Sequence, residues 1–182
     1  MSTVKIKHKF LNHKIDPQTE MLIIGTFNPG HECNKDNEFF YDSPGNRLWK
    51  LLPNVFGEQD LRNSTRDQKL KFSRDKRIDF IDIIEEVEVE EEQACNRADK
   101  YIDGKVTQWR NVSDQLQKLS SLNRVCFTRS TLKDVRNIKA QVDKLSKYLE
   151  SRKLQLRLIR TPAWIPHKDE QSLWTNFIYG KE

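Results

Sequence analysis

"MLIIGTFNPG", residues 21–30, sets four apolar side chains directly against a glycine and then turns at Asn-Pro-Gly. A short run that is apolar on both faces reads as a strand buried on both sides, the kind found inside a parallel sheet. Residues 21–25 are therefore expected to be a central strand closed by Gly25. Asn28, between a phenylalanine and a proline, is either the cap of a tight turn or a polar group presented where the strand ends.

Working outward from that strand, "SPGNRLWKLLP" (43–53) reads as a helix with Ser43 as N-cap, Pro44 in the first turn and Pro53 at the stop. A polar helix is expected over about 65–76 and a strand in "IDFIDII" (78–84). An amphipathic helix is expected over 106–122, a short strand in "RVCFT" (124–128), and a long amphipathic helix over 131–151. "LQLRLIR" (154–160) alternates as a strand does, and "QSLWTNFI" reads as a last helix. Strands alternating with helices predict an α/β fold, a three-layer α/β/α sandwich on a mostly parallel sheet of about four strands. Such sheets bind ligands beyond the carboxyl ends of their strands, so the informative loops are 26–44, 85–105, 128–131 and 161–169.

The 182 residues suit one domain with a core over about 20–178. With 36% apolar and 32% charged residues the chain is too apolar for a disordered one, and its apolar runs are far short of the roughly 20 residues that cross a bilayer. "MSTVKIKHKF" has no h-region, which predicts a cytoplasmic protein with no membrane partner. Cys33, Cys95 and Cys126 lie far apart without a C-x-x-C pair, so reduced thiols and no metal are expected, His31–Cys33 being the best His/Cys cluster. The net charge of +5 fits a nucleic-acid partner weakly. "EEVEVEEE" (85–92) concentrates six glutamates in a solvated strand extension or loop, which leaves the remainder more basic.

Two loops carry further unusual residues. "GTFNPG" is followed at a short interval by "FFYDSPGNRLWKLLP", and "RTPAWIPHK" follows the last strand. In this order the chain resembles the uracil-DNA glycosylase superfamily, nearest its mismatch-specific and hypoxanthine-type branches. Those carry a G-x-N-P-G loop, an aromatic residue ahead of a P-x-N-R-F-W helix start, and a late Pro-Ser loop. The resemblance implies hydrolysis of the N-glycosidic bond of a flipped, deaminated or mismatched base in DNA, without metal or cofactor.

Carried onto this sequence, the resemblance makes Asn28 and Asn46 catalytic. Asn28 would orient water, and Asn46 would grip the base edge or support that water. Gly25, Thr26, Phe27 and Tyr41 would bind the base, Tyr41 by stacking and the backbone of Thr26 and Phe27 by N–H groups. Phe40, and equally Phe39, is either a substitute stacking ring or core packing. Thr161, Pro162, Ala163, Trp164, Ile165, His167 and Lys168 would contact DNA, with Trp164 or Ile165 as the wedge in the opened stack and His167 and Lys168 on phosphates. The loop could equally be a rigid turn that packs Trp164 into the core.

Three departures accompany the match. One extra residue separates Gly25 from Asn28, Ser43 stands where mismatch-type enzymes have histidine, and Thr161-Pro162-Ala163 replaces a His-Pro-Ser or Asn-Pro-Ser start. Arg47 and Trp49 read as structural, and Arg129 or Ser130 could touch a phosphate. A catalytically inactive nucleic-acid recognition module and a nucleoside or nucleotide hydrolase are the rival readings. A monomer is the simplest expectation for the oligomeric state.

Overall fold

The computed structural model describes residues 2–162 and 168–181. The expected central strand is β2, Met21–Gly25, all five residues buried. It pairs in parallel with β3 (Ile78–Asp82) on one side and β6 (Arg124–Phe127) on the other. Beyond β6 lies β7 (Leu156–Leu158), also parallel, giving the order β3-β2-β6-β7. The architecture is thus the expected α/β fold with a four-stranded parallel sheet.

Alternation along these strands builds two cores. Met21, Ile23, Ile78, Phe80 and Cys126 face one side, where α1 (Leu48–Val55), α2 (Arg66–Asp75) and α6 (Glu170–Tyr179) supply Leu48, Trp49, Leu52, Phe72, Trp174 and Phe177. Leu22, Ile24, Val125 and Phe127 face the other, against α4 (Val112–Leu116) and α5 (Arg136–Ser151). A strand buried on both faces needs this apolar continuity, because either side chain parity meets a helix layer.

The second core extends under a three-stranded antiparallel sheet that the periodicity did not disclose, ordered β1 (Thr3–Lys7), β4 (Ile84–Glu90) and β5 (Val106–Trp109). Here the glutamate run is a central strand. Val87 and Val89 point into the core, while Glu86 pairs with Lys5 and Glu88 accepts a 2.8 Å hydrogen bond from Thr3. Of the two readings of this run, strand extension or loop, the structure shows a strand through Glu90, and cross-strand partners disperse its negative charge.

Three boundaries are corrected. The helix expected from residue 43 begins at Leu48; Ser43 does not cap it, and the Asn46 side chain takes the Leu48 N–H at 2.8 Å. It also continues through Pro53 to Val55, and the Trp49 carbonyl, to which Pro53 has no N–H to donate, accepts from the Leu61 N–H at 2.8 Å instead. The expected helix 106–122 splits into β5 and α4, since Val106–Trp109 can satisfy its backbone along β4. The helix expected from 131 starts at Arg136. By contrast α2 begins where its sequence signals it, with Thr65 and Gln68 closing a capping box. Among the described residues no helix is long and apolar enough to cross a membrane.

Candidate active site

From β2 the chain goes to β3 on one flank and later returns to β6 on the other, so the strand order reverses beside the carboxyl end of β2. A crevice opens at such a reversal. Register brings the three strand ends level: Gly25 pairs with Asp82, and Ile24 with Phe127, which places Thr128 next to Gly25. The cavity there holds about 210 Å³ and is lined by Gly25, Thr26, Phe27, Asn28, Pro29, Asn37, Tyr41, Ser43, Asn46, Asp82, Arg97, Asp99, Thr128 and Thr161. That is below the roughly 300–1,000 Å³ of pockets for drug-sized ligands, and it is a polar space suited to a compact, hydrogen-bonding group.

Asn28 is held by a buried network. Its Nδ2 donates to Asp82 Oδ2 at 2.5 Å, and His8 Nε2 meets the same oxygen at 2.7 Å. The Phe10 N–H donates to His8 Nδ1 at 3.0 Å, so Nε2 is the protonated ring nitrogen and donates to Asp82. A carboxylate only accepts, so the Asn28 amide must turn its nitrogen toward Asp82, leaving the Oδ1 carbonyl for the cavity. The turn itself is stitched to the end of β1, with Lys9 N–H to Asn28 O at 2.7 Å and Gly30 N–H to Lys7 O at 2.8 Å. The extra residue after Gly25 is absorbed there, and Asn28 still reaches the cavity. Gly25 is required for this packing, because a Cβ on it would lie 2.3 Å from Asp82 Oδ1 and 2.8 Å from the Tyr41 hydroxyl.

Tyr41 sits at φ 57, a left-handed conformation that costs a non-glycine residue energy and persists only when the surroundings enforce it. Its neighbour Asp42 is bonded by the buried Lys69 ammonium and accepts from the Glu38 N–H at 3.0 Å. Its own hydroxyl bonds Thr128 Oγ1 at 2.9 Å. Burial, and after it the Asp82 charge, push the hydroxyl pKa well above the ordinary tyrosine value, so it stays protonated.

Of the two alternatives for Phe40, stacking ring or core packing, the structure places it in the core. It is fully buried, 4.9 Å from Phe10 and stacked at 5.9 Å on Phe80, and its carbonyl accepts from Trp49 Nε1. Phe39 is equally buried. Of these three consecutive aromatic residues Tyr41 alone lines the cavity, while Phe39 and Phe40 pack in the same core cluster.

Asn46 lines the cavity, but its Oδ1 caps the start of α1. The backbone before α1 is engaged within the protein, with Arg47 N–H on Pro162 O at 2.9 Å. Thr161 lines the cavity and donates to the Thr128 carbonyl. Pro162 is buried, and Lys168 is exposed in the turn before α6. Ala163, Trp164, Ile165 and His167 lie outside the described residues. Arg47 is structural, paired with Glu170 at 2.6 Å, and Trp49 is core. Arg129 is committed to Asp99 and Asp134, each at 2.7 Å, rather than held out for a phosphate.

Asn37, Asp82, Arg97 and Asp99 line the cavity without having been singled out from the sequence. Asp82 was hidden inside an apolar strand pattern, although an aspartate among isoleucines at a strand's carboxyl end is itself a signal. Arg97 sits in the loop after the glutamate run and Asp99 opens the short helix α3 (Asp99–Ile102), and nothing local distinguishes them. Burial raises the Asp99 pKa above the ordinary aspartate value, against the pull of Arg129 and of a hydrogen bond from Thr26. A third correction concerns sulfur: Cys33 and Cys95 form a disulfide, with Cα atoms 5.8 Å apart, beside His31. Only Cys126 is a free thiol, buried within β6.

The fold has a counterpart among solved structures. The solution NMR structure of a "putative Uracil DNA glycosylase from Methanosarcina acetivorans" is 20% identical, with a TM-score of 0.64 over 91% of this chain and 92% of that one. At that identity the likeness is one of fold: the two chains share the α/β architecture around a parallel sheet. No protein-family model and no curated protein matches the sequence.

Proposed function

We propose that the chain is a monofunctional DNA glycosylase that hydrolyses the N-glycosidic bond of a flipped uracil- or hypoxanthine-type base. The observation that carries this reading is the meeting of Asn28, Tyr41 and Asn46, from two separate motifs, around one small polar cavity at the sheet's carboxyl edge. The shared fold supports it.

In this reading the base enters the cavity, Tyr41 provides a face for it, and Asn46 Nδ2 meets its edge. Stacking of this kind is worth roughly 1–3 kcal/mol per base. The bond from C1′ to the base nitrogen breaks with its electron pair going to the base, leaving the sugar cation-like. Asp82 and Asp99 favour that positive charge electrostatically. Water held by Asn28 Oδ1 adds to C1′. Its proton passes to Asp99, whose raised pKa makes it a better proton acceptor than an ordinary aspartate. Asp82 acts through Asn28, fixing which end of the amide faces water.

The test is incubation with labelled single strands and duplexes carrying uracil, hypoxanthine, xanthine or mispaired uracil, followed by alkaline cleavage of abasic sites. Scission is expected. Asn28→Ala should lower its rate at least ~100-fold, as loss of a well-placed orienting group does, Asp82→Asn less, and Asn46→Ala less again. Activity should rise with pH through the raised Asp99 pKa, and Asp99→Asn should remove that limb. Binding to all substrates with no scission would make the protein a recognition module. Cleavage of free nucleosides alone would make it a nucleoside hydrolase.

A further inference from the structure

Away from the cavity's chemistry, the chain folds two polar loops together at a sulfur-rich node. His31 precedes and Cys33 lies within a single 3-10 turn, Glu32–Asn34, and Cys95 follows another, Glu91–Gln93. One ligand atom from each of His31, Cys33 and Cys95 lies within 4.8 Å of the others, and His31 Nδ1 is 3.1 Å from Cys33 Sγ and 4.0 Å from Cys95 Sγ. The two cysteines are exposed and His31 is half-buried, so solvent ions reach all three.

We propose that in the reduced protein His31, Cys33 and Cys95 form a zinc site, of which the observed disulfide is the oxidised counterpart. Reduction by a thiol or phosphine delivers two electrons and two protons to the disulfide, giving two thiols. A divalent ion then binds both sulfurs as thiolates and releases those two protons to solvent. Two thiolates and an imidazole are a soft donor set that suits zinc and not the oxygen-seeking calcium or magnesium. Three protein ligands fall short of the four cysteines that hold an iron–sulfur cluster, whereas zinc completes its tetrahedron with water.

The node's place in the fold gives the site a consequence. Asn34, next to Cys33, is buried and donates to the Pro29 carbonyl at 2.9 Å, and Asn37 donates to Asn34. Arg97, two residues past Cys95, donates to the Cys33 carbonyl at 2.6 Å. Asn37, Pro29 and Arg97 all line the cavity described above. Either cross-link, disulfide or metal, therefore clamps the two loops that form one wall of that cavity, and the reduced, metal-free protein has neither.

Anaerobic reduction with a phosphine, desalting, and titration with cobalt and then zinc tests this. Cobalt is expected to bind one-to-one with thiolate-to-metal charge-transfer absorption and the visible bands of a tetrahedral ion, and zinc to bleach them. C33S and C95S should each weaken zinc binding by more than the roughly 10–100-fold that loss of an outer-shell partner costs, and H31A should weaken it measurably. The double variant C33S/C95S sets the background, and its circular dichroism shows whether the fold survives. Binding no tighter than this background, or cobalt spectra without thiolate charge transfer, overturns the proposal. The readout is metal binding alone, so it stands or falls separately from any glycosylase activity.

Discussion

At the scale of single residues, the decisive fact is how Asp82 governs Asn28. An asparagine after a strand is chemically ambiguous because its amide can present either end, and the carboxylate, itself held by His8, removes that ambiguity. Gly25 makes room for the arrangement. Gly25→Ala is expected to drive a methyl group into Asp82 Oδ1, displacing the carboxylate and lowering the melting temperature, with scission lost even in the fraction that folds. Thermal unfolding by circular dichroism and the abasic-site assay check the two parts. Asp99 offers a second test. Its pKa is raised in the folded state, so between the ordinary aspartate value of 3.8 and the raised one the native protein binds the extra proton. Stability at this site is therefore lost as pH rises through that window. Urea midpoints of Asp99→Asn, measured across the same range, should show a slope shallower in this sense than those of the parent.

At the scale of elements, local chemistry succeeded where the chain could satisfy itself and failed where a distant partner intervened. The α2 start is self-contained: Thr65 and Gln68 cap each other's backbone within four residues. Thr65→Ala should cost about 1 kcal/mol in chemical denaturation, as removing a capping hydroxyl does. In contrast, Val106–Trp109 is a strand because β4 lies beside it, and the Pro44 signal for a helix start is overridden because Pro162 and Asn46 take the relevant N–H groups further on. Tyr41 and Phe40 separate for a similar reason, since it is the Lys69–Asp42 pair and Thr128 that hold Tyr41 in a left-handed backbone.

At the scale of the whole molecule, the sheet divides the chain's chemistry. Its carboxyl edge collects polar side chains from β2, β3 and β6 and from the loops between 29 and 46 and after 91, while its faces are dry. Cys126 marks the dry part. It is fully buried, and burial alone pushes its thiol pKa far above that of a free cysteine. A thiol reagent applied to native, unreduced protein should therefore leave Cys126 unmodified, with labelling appearing only as denaturant unfolds the sheet. Mass spectrometry of the labelled chain reads this directly.

The amino-acid sequence alone determined the central buried strand, its parallel neighbours, the capped polar helix and the loop carrying Asn28, because apolar continuity, capping residues and turn residues act over a few positions. It also marked Gly25, Thr26, Phe27, Tyr41, Asn46 and Thr161 through their motifs, and these do share one cavity. Only the tertiary structure decided that Asp82, Arg97 and Asp99 join them, that Phe40 is core, that Cys33 meets Cys95 across 62 positions, and that a glutamate-rich run is the middle of a sheet. Each of those outcomes depends on register between segments far apart in the chain. A one-residue slip would turn Asp82 to the opposite face, and nothing local to either segment encodes that choice.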